Sequence, residues 1–99
     1  MIHKIFTIHD AAAQAYLAPF VLHAEGIAIR TFTDCINDPD HAFGRHPKDY
    51  TLMCIAEFDD TTGVINPYQT QKPLGNGLSF VQNQTSENQL TLLKEAAEK

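Results

Sequence analysis

The chain has 99 residues, 43% of them hydrophobic and 19% charged, which suits one small globular domain and leaves little material for a second core. Twelve acidic against seven basic residues set a net charge of −5, which argues against a protein that coats nucleic acid through many phosphate contacts. No apolar run approaches the ~20 residues of a membrane span. The opening Met1-Ile2-His3-Lys4-Ile5 lacks the parts of a secretory leader, so the expected location is cytoplasmic.

Residues 2–9 alternate as a strand, with Ile2, Phe6 and Ile8 on one face and His3, Ile5, Thr7 and His9 on the other. Asp10-Ala11-Ala12-Ala13-Gln14 connects to a second strand over 16–23. Proline cannot donate to a ladder, so Pro19 places this strand at an edge or delays its start to Phe20. Residues 25–37 form the best helix. Ala28, Ile29, Phe32, Cys35 and Ile36 share one side, no side chain caps the start, and Asn37-Asp38-Pro39 ends it, since the residue before proline is pushed out of helical geometry.

A loop over 39–49 comes next. Residues 50–58 then read as a strand with Tyr50, Leu52, Cys54, Ala56 and Phe58 on one face and Thr51, Met53, Ile55 and Glu57 on the other. Apolar residues on both faces mark it as central and covered on both sides. Asp59-Asp60-Thr61-Thr62-Gly63 reads as a turn into a short strand at Val64-Ile65. Pro67, Pro73, Gly75 and Gly77 make 66–77 a loop, and 78–81 offers one more strand. In the tail, Ser86 and Gln89 fit a capping box, and Leu90, Leu93 and Ala97 share a helical face. The expected architecture is α+β: a small, mostly antiparallel sheet with one packed helix, in the order β-β-α-β-β, forming a single domain over 1–82. Residues 83–99 are expected to be a helical tail.

Five histidines raise the question of a metal, but none has the spacing of a zinc site, such as two His four apart on a helix. Cys35 and Cys54, 19 positions apart, match no metal or redox motif and read as small core hydrophobes. Asp59 and Asp60 fit a turn that bonds its own backbone better than a catalytic carboxylate pair. No nucleophile elbow, phosphate loop or dinucleotide fingerprint is present, so neither enzyme nor cofactor is expected. One local cluster of basic and aromatic residues remains, in the loop and the strand after it: Phe43, Arg45, His46, Lys48 and Tyr50. Cations beside rings suit single-stranded nucleic acid, whose phosphates need charge and whose unpaired bases stack. Phe43 is read as the ring that pins the loop to the core.

Asn37-Asp38-Pro39, the run Phe43-Gly44-Arg45-His46-Pro47-Lys48-Asp49-Tyr50-Thr51-Leu52, and Glu57-Phe58-Asp59-Asp60 carry a resemblance. The chain resembles the small nonstructural protein of gokushoviruses, single-stranded DNA phages of the microvirus family. Those proteins share these three motifs in this order and spacing. The likeness covers about residues 1–80, taking in Asp10, Ala15-Tyr16, Pro19-Phe20, Arg30 and Phe32. Arg45 and Lys48 stand where the family tends to Lys and Glu, Cys54-Ile55-Ala56 where it tends to Glu-Leu-Gly, and the tail after Val81 is longer. The resemblance implies a bacteriophage protein absent from the virion and acting in the cytoplasm of the infected host. Its implied role is in single-stranded genome replication or packaging, and it implies no catalytic residues.

Two functions of different class are compatible with these features. In the first, Arg30, Arg45, His46, Lys48 and Tyr50 bind single-stranded DNA or the replication initiator. In the second, the protein is an interaction module that self-associates through a sheet edge or the tail, or modulates host or phage proteins, without touching DNA.

Overall fold

The computed structural model describes residues 1–82. The expected tail helix, with Ser86 and Gln89, lies outside the described residues. One antiparallel sheet holds β1 (Ile2–Asp10), β2 (Ala15–Tyr16), β3 (Phe20–Leu22), β4 (Tyr50–Asp59) and β5 (Val64–Asn76). Its order is β2-β1-β4-β5, and β3 pairs with the same side of β1 as β2, further along. The expected α+β class is what forms. β4 is central, between β1 and β5.

The long helix α1 (Glu25–Ile36) starts without a side-chain cap and stops at Asn37, as the sequence indicates. It lays Ala28, Phe32 and Ile36, four residues apart and thus on one face, against Phe6 and Ile8 of β1 and Leu52 and Cys54 of β4. Phe6, Leu52 and Cys54 are the largest fully buried side chains. Burying Phe6 and Leu52 stabilises the fold by about 1.5–3 kcal/mol each. Cys54 is the core hydrophobe expected, while Cys35 is half-buried. The Lys72–Glu25 pair, 2.8 Å and largely exposed, ties the start of α1 to β5 and adds little energy.

Three readings are corrected. Residues 66–76 are not a loop but most of β5, whose prolines sit in an outer strand. There Pro67 pairs with Ala56 and Pro73 with Met53, and the ladder shifts register between these pairs, with residues 68–71 standing opposite Ile55. An outer strand tolerates prolines because half of its N–H groups point away from the sheet. Residues 77–80 form a 3-10 turn rather than a strand. The alternation assigned to β4 holds only as far as Cys54. A bulge opposite Ile5 and Phe6, with Ile55 as the extra residue, sends Ala56 and Phe58 to the face of Ile5 and His3, and Glu57 to the helix side.

The face away from α1 is covered in part by the curl of the sheet. Tyr16 at one border donates its hydroxyl to Gln71 Oε1 of β5 at 3.3 Å. Ile5, Thr7 and Ala56 lie buried there. Thr7, polar and buried, donates to the Leu17 carbonyl at 2.7 Å. The turn at 59–63 forms as expected. Asp59 Oδ1 accepts from the Thr61 amide at 2.9 Å, and Gly63 takes φ +74°, which L side chains rarely adopt. Among the described residues no helix is long and apolar enough to cross a membrane.

Candidate functional site: a braced loop at the end of the long helix

The loop between α1 and β4 contains two short helical pieces, α2 (Ala42–Arg45) and a 3-10 turn at Pro47–Asp49. Asp38 Oδ1 accepts from the Asp40 amide, and His41 Nδ1 accepts from the Phe43 amide at 3.0 Å, capping α2. The His41 bond requires its ring proton on Nε2. Pro47 opens the 3-10 turn, where its missing N–H costs nothing. This part of the sequence therefore closes its own hydrogen bonds locally.

Two asparagines then fasten the loop to distant chain. Asn37 donates from Nδ2 to the carbonyls of Thr33 and Phe80, both at 2.9 Å, and accepts at Oδ1 from the Gln82 amide at 2.9 Å. Asn76, at the end of β5, donates to the Lys48 carbonyl at 2.9 Å, the Tyr50 carbonyl at 3.2 Å and Thr51 Oγ1 at 3.1 Å. Its Oδ1 accepts from the Leu78 amide. Packing completes the brace. A side chain at Gly44 would run into the Asp38 carbonyl, and one at Gly77 into the Pro47 carbonyl and the Ile36 side chain.

The rings are internal to this brace. Phe43 packs on Phe32 at 5.7 Å between centroids and on Tyr50 at 4.4 Å, and Phe80 meets Phe32 edge-on at 5.6 Å. Phe43 is the pin expected of it. Tyr50 is half-buried with one ring face against Phe43, so it is more brace than free stacking surface. Arg45, His46 and Lys48 are exposed, and Arg45 donates from Nη1 to the Asp40 carbonyl at 3.1 Å. Arg30 is exposed on α1, seven residues before Asn37 and so ~10 Å along the helix from the loop. The structure thus gathers Arg45, His46, Lys48 and Tyr50 on one rigid turn and leaves Arg30 to one side.

The electrostatics of the turn are mixed. Asp38, Asp40 and Asp49 accompany Arg45 and Lys48 in the same stretch. Cys35, in the last turn of α1, has its thiol pushed up by burial and then by Asp34 and Asp38, which favours the protonated form. The other histidines serve elsewhere. His3 stacks on His23 at 4.9 Å and bonds Asp60 at 2.8 Å, and His9 packs on Tyr16 at 4.7 Å. Among the described residues no group of three or more His, Cys, Asp or Glu is placed to hold a metal ion.

The model of the Phage ORF5 protein family matches residues 3–80. The chain belongs to that family. It is therefore a phage protein, and the match ends at Phe80, whose carbonyl Asn37 holds. The matched span of this ORF5-family chain thus contains the sheet apart from Ile2, together with α1 and the braced loop. No curated protein and no solved structure matches it. From sequence, Gly77 reads only as a loop residue, and neither Asn76 nor Phe80 is a candidate site residue. The available signal was the Asn76-Gly77 pair, a turn dipeptide whose asparagine also caps the 3-10 turn over 77–80.

Proposed function

We propose that this phage protein is a non-enzymatic accessory in the replication or packaging of a single-stranded DNA genome, and that it is the gokushovirus nonstructural protein its motifs resemble. It acts in the cytoplasm of the infected host and stays out of the virion. Its ligand is single-stranded DNA or the replication initiator, held by Arg45, His46 and Lys48, with Tyr50 behind them and Arg30 at the margin. The observation that carries this reading is the loop itself. Three exposed cationic or titratable side chains leave a backbone fixed by Asn37, Asn76, Gly44 and Gly77, so little ordering entropy is lost when they engage a phosphate.

Fluorescence anisotropy with a labelled oligonucleotide tests it. Binding is expected at low salt and is expected to weaken as salt rises, with a logarithmic slope of about −0.7 per phosphate contacted, or about −2 for three. Arg45→Ala with Lys48→Ala removes most of it. No binding in either buffer, or binding unchanged in the double variant, rejects the DNA reading.

The second reading, an interaction module that does not touch DNA, is favoured by one specific observation. Asp38, Asp40 and Asp49 flank the two bases, on a chain already at −5. A flat anisotropy titration together with capture of a phage replication protein that the double variant loses would establish it.

A further inference from the structure

Of the five asparagines, Asn76 alone is followed by glycine. That pair is the sequence most open to spontaneous deamidation, because the next residue has no side chain to shield its backbone nitrogen. The Gly77 nitrogen attacks Asn76 Cγ. An N–C bond forms, the Cγ–Nδ2 bond breaks, and ammonia leaves with the Gly77 proton. Water then opens the five-membered imide at either carbonyl. Opening at the side-chain carbonyl gives aspartate. Opening at the main-chain carbonyl gives isoaspartate, whose chain runs through the side chain and is one atom longer. Water is the sole co-reactant.

The braced loop holds Asn76 out of this reaction. Ring closure needs the Gly77 nitrogen nearly eclipsed with Cβ about the Cα–C bond, and at ψ 152° it stands roughly a quarter turn away. The carboxamide is turned instead toward residues 48–51. Nδ2 shares its two hydrogens among the Lys48 carbonyl at 2.9 Å, the Tyr50 carbonyl at 3.2 Å and Thr51 Oγ1 at 3.1 Å. Oδ1 takes the Leu78 amide at 3.1 Å. Gly77 has no space to swing round, since it is buried and even a methyl group there would run into the Pro47 carbonyl and Ile36.

We propose that Asn76 is a deamidation site gated by the loop: closed while the brace is formed, reactive once the loop lifts, and one-way in effect. A carboxylate at 76 donates nothing, so all three donated bonds are lost, and it repels the carbonyls of Lys48 and Tyr50. The isoaspartate form adds a backbone atom where Gly77 has no room. The loop that carries Arg45, His46 and Lys48 therefore contains its own irreversible release.

Peptide mapping by mass spectrometry reads this out on the full chain, held in mildly alkaline buffer with and without urea. In urea, Asn76 is expected to convert faster than the chain's other asparagines. In native buffer it should convert at least about tenfold more slowly, since only the open fraction of the loop reacts. Asn37→Ala removes the bonds to Thr33, Phe80 and Gln82 but none of those made by Asn76. It should raise the native rate and leave the urea rate alone, with circular dichroism showing that it is folded. Asn76→Asp stands for the product. Its amide hydrogen exchange over residues 41–49 should rise, and that over β1 should not. If this variant fails to fold, the deamidated fraction of aged protein, separated by its added negative charge, gives the same reading. Equal rates with and without urea, or no conversion at Asn76 in urea, overturns the proposal. So does a native rate that folded Asn37→Ala leaves unchanged, or a deamidated chain whose loop stays as protected as before. None of these readings uses DNA, so the proposal holds or fails apart from oligonucleotide binding.

Discussion

Asn37 gives the sharpest test of how the loop is held. Asn37→Ala removes two donated bonds, to Thr33 and Phe80, and one accepted from Gln82, each 2.9 Å long. Three bonds at a net ~1 kcal/mol each set a ceiling of about 3 kcal/mol. Asn37 is half-buried, so water replaces part of the loss, leaving about 2 kcal/mol. For a domain of this size that lowers the melting midpoint by about 8–16 °C. Asn37→Asp separates bonding from mere polarity. It keeps an acceptor for Gln82, loses both donors, and sets a carboxylate against two carbonyls at the negative end of α1. At neutral pH the expected order of stability is unmodified chain, then Ala, then Asp, with the last step about 1 kcal/mol. The introduced carboxyl should titrate above its unfolded value, so its penalty is absent at low pH and appears as pH rises through the folded value. The Ala–Asp gap should therefore close near about pH 3. Urea denaturation followed by circular dichroism measures each step. An Ala variant within ~0.5 kcal/mol of the unmodified chain, or an Asp variant more stable than Ala at neutral pH, refutes the clamp.

Gly44→Ala should cost about 1–3 kcal/mol, because the new methyl meets the Asp38 backbone rather than a movable side chain. Denaturant midpoints check this. Asp60 is held down to about 2 by the Met1 ammonium first and His3 second, against an ordinary 3.8. A depressed carboxyl stabilises above its unfolded value and loses that contribution as pH falls through the folded one. Asp60→Asn should therefore lower stability at about pH 5, with the two curves converging between about pH 4 and 2. Acid titration of the circular dichroism signal tracks both. Arg45→Ala with Lys48→Ala should change stability by less than about 0.5 kcal/mol while removing oligonucleotide binding, since both side chains are exposed. A large stability loss in that variant would show the pair to be structural.

The sequence was legible where structure is local. β1 and α1 come from periodicity, the stop at Asn37 from the adjoining Asp38-Pro39, and the pinning role of Phe43 from an aromatic in a polar loop. β5 was missed because Pro67, Pro73 and Gly75 are punctuation in an isolated chain, whereas an outer, irregular strand accommodates all three. The flip after Cys54 was missed because a bulge is decided by the facing strand. The same holds for the site. Polarity alone exposes Arg45, His46 and Lys48, but Asn76 acts on partners 25 to 28 residues away, and no local pattern records that.

The extra residue in β4 has a consequence best put as parity. Before it, odd-numbered positions of β4 face away from α1; after it, even-numbered ones do. Had β4 kept one parity throughout, Glu57 would stand opposite His3, and Phe58 would turn to the helix side. Deletion of Ile55 removes only the extra residue: Ala56 then follows Cys54 directly, still opposite Ile5, and Glu57 stays on the helix side, so the bulge is lost without changing which side chains face α1.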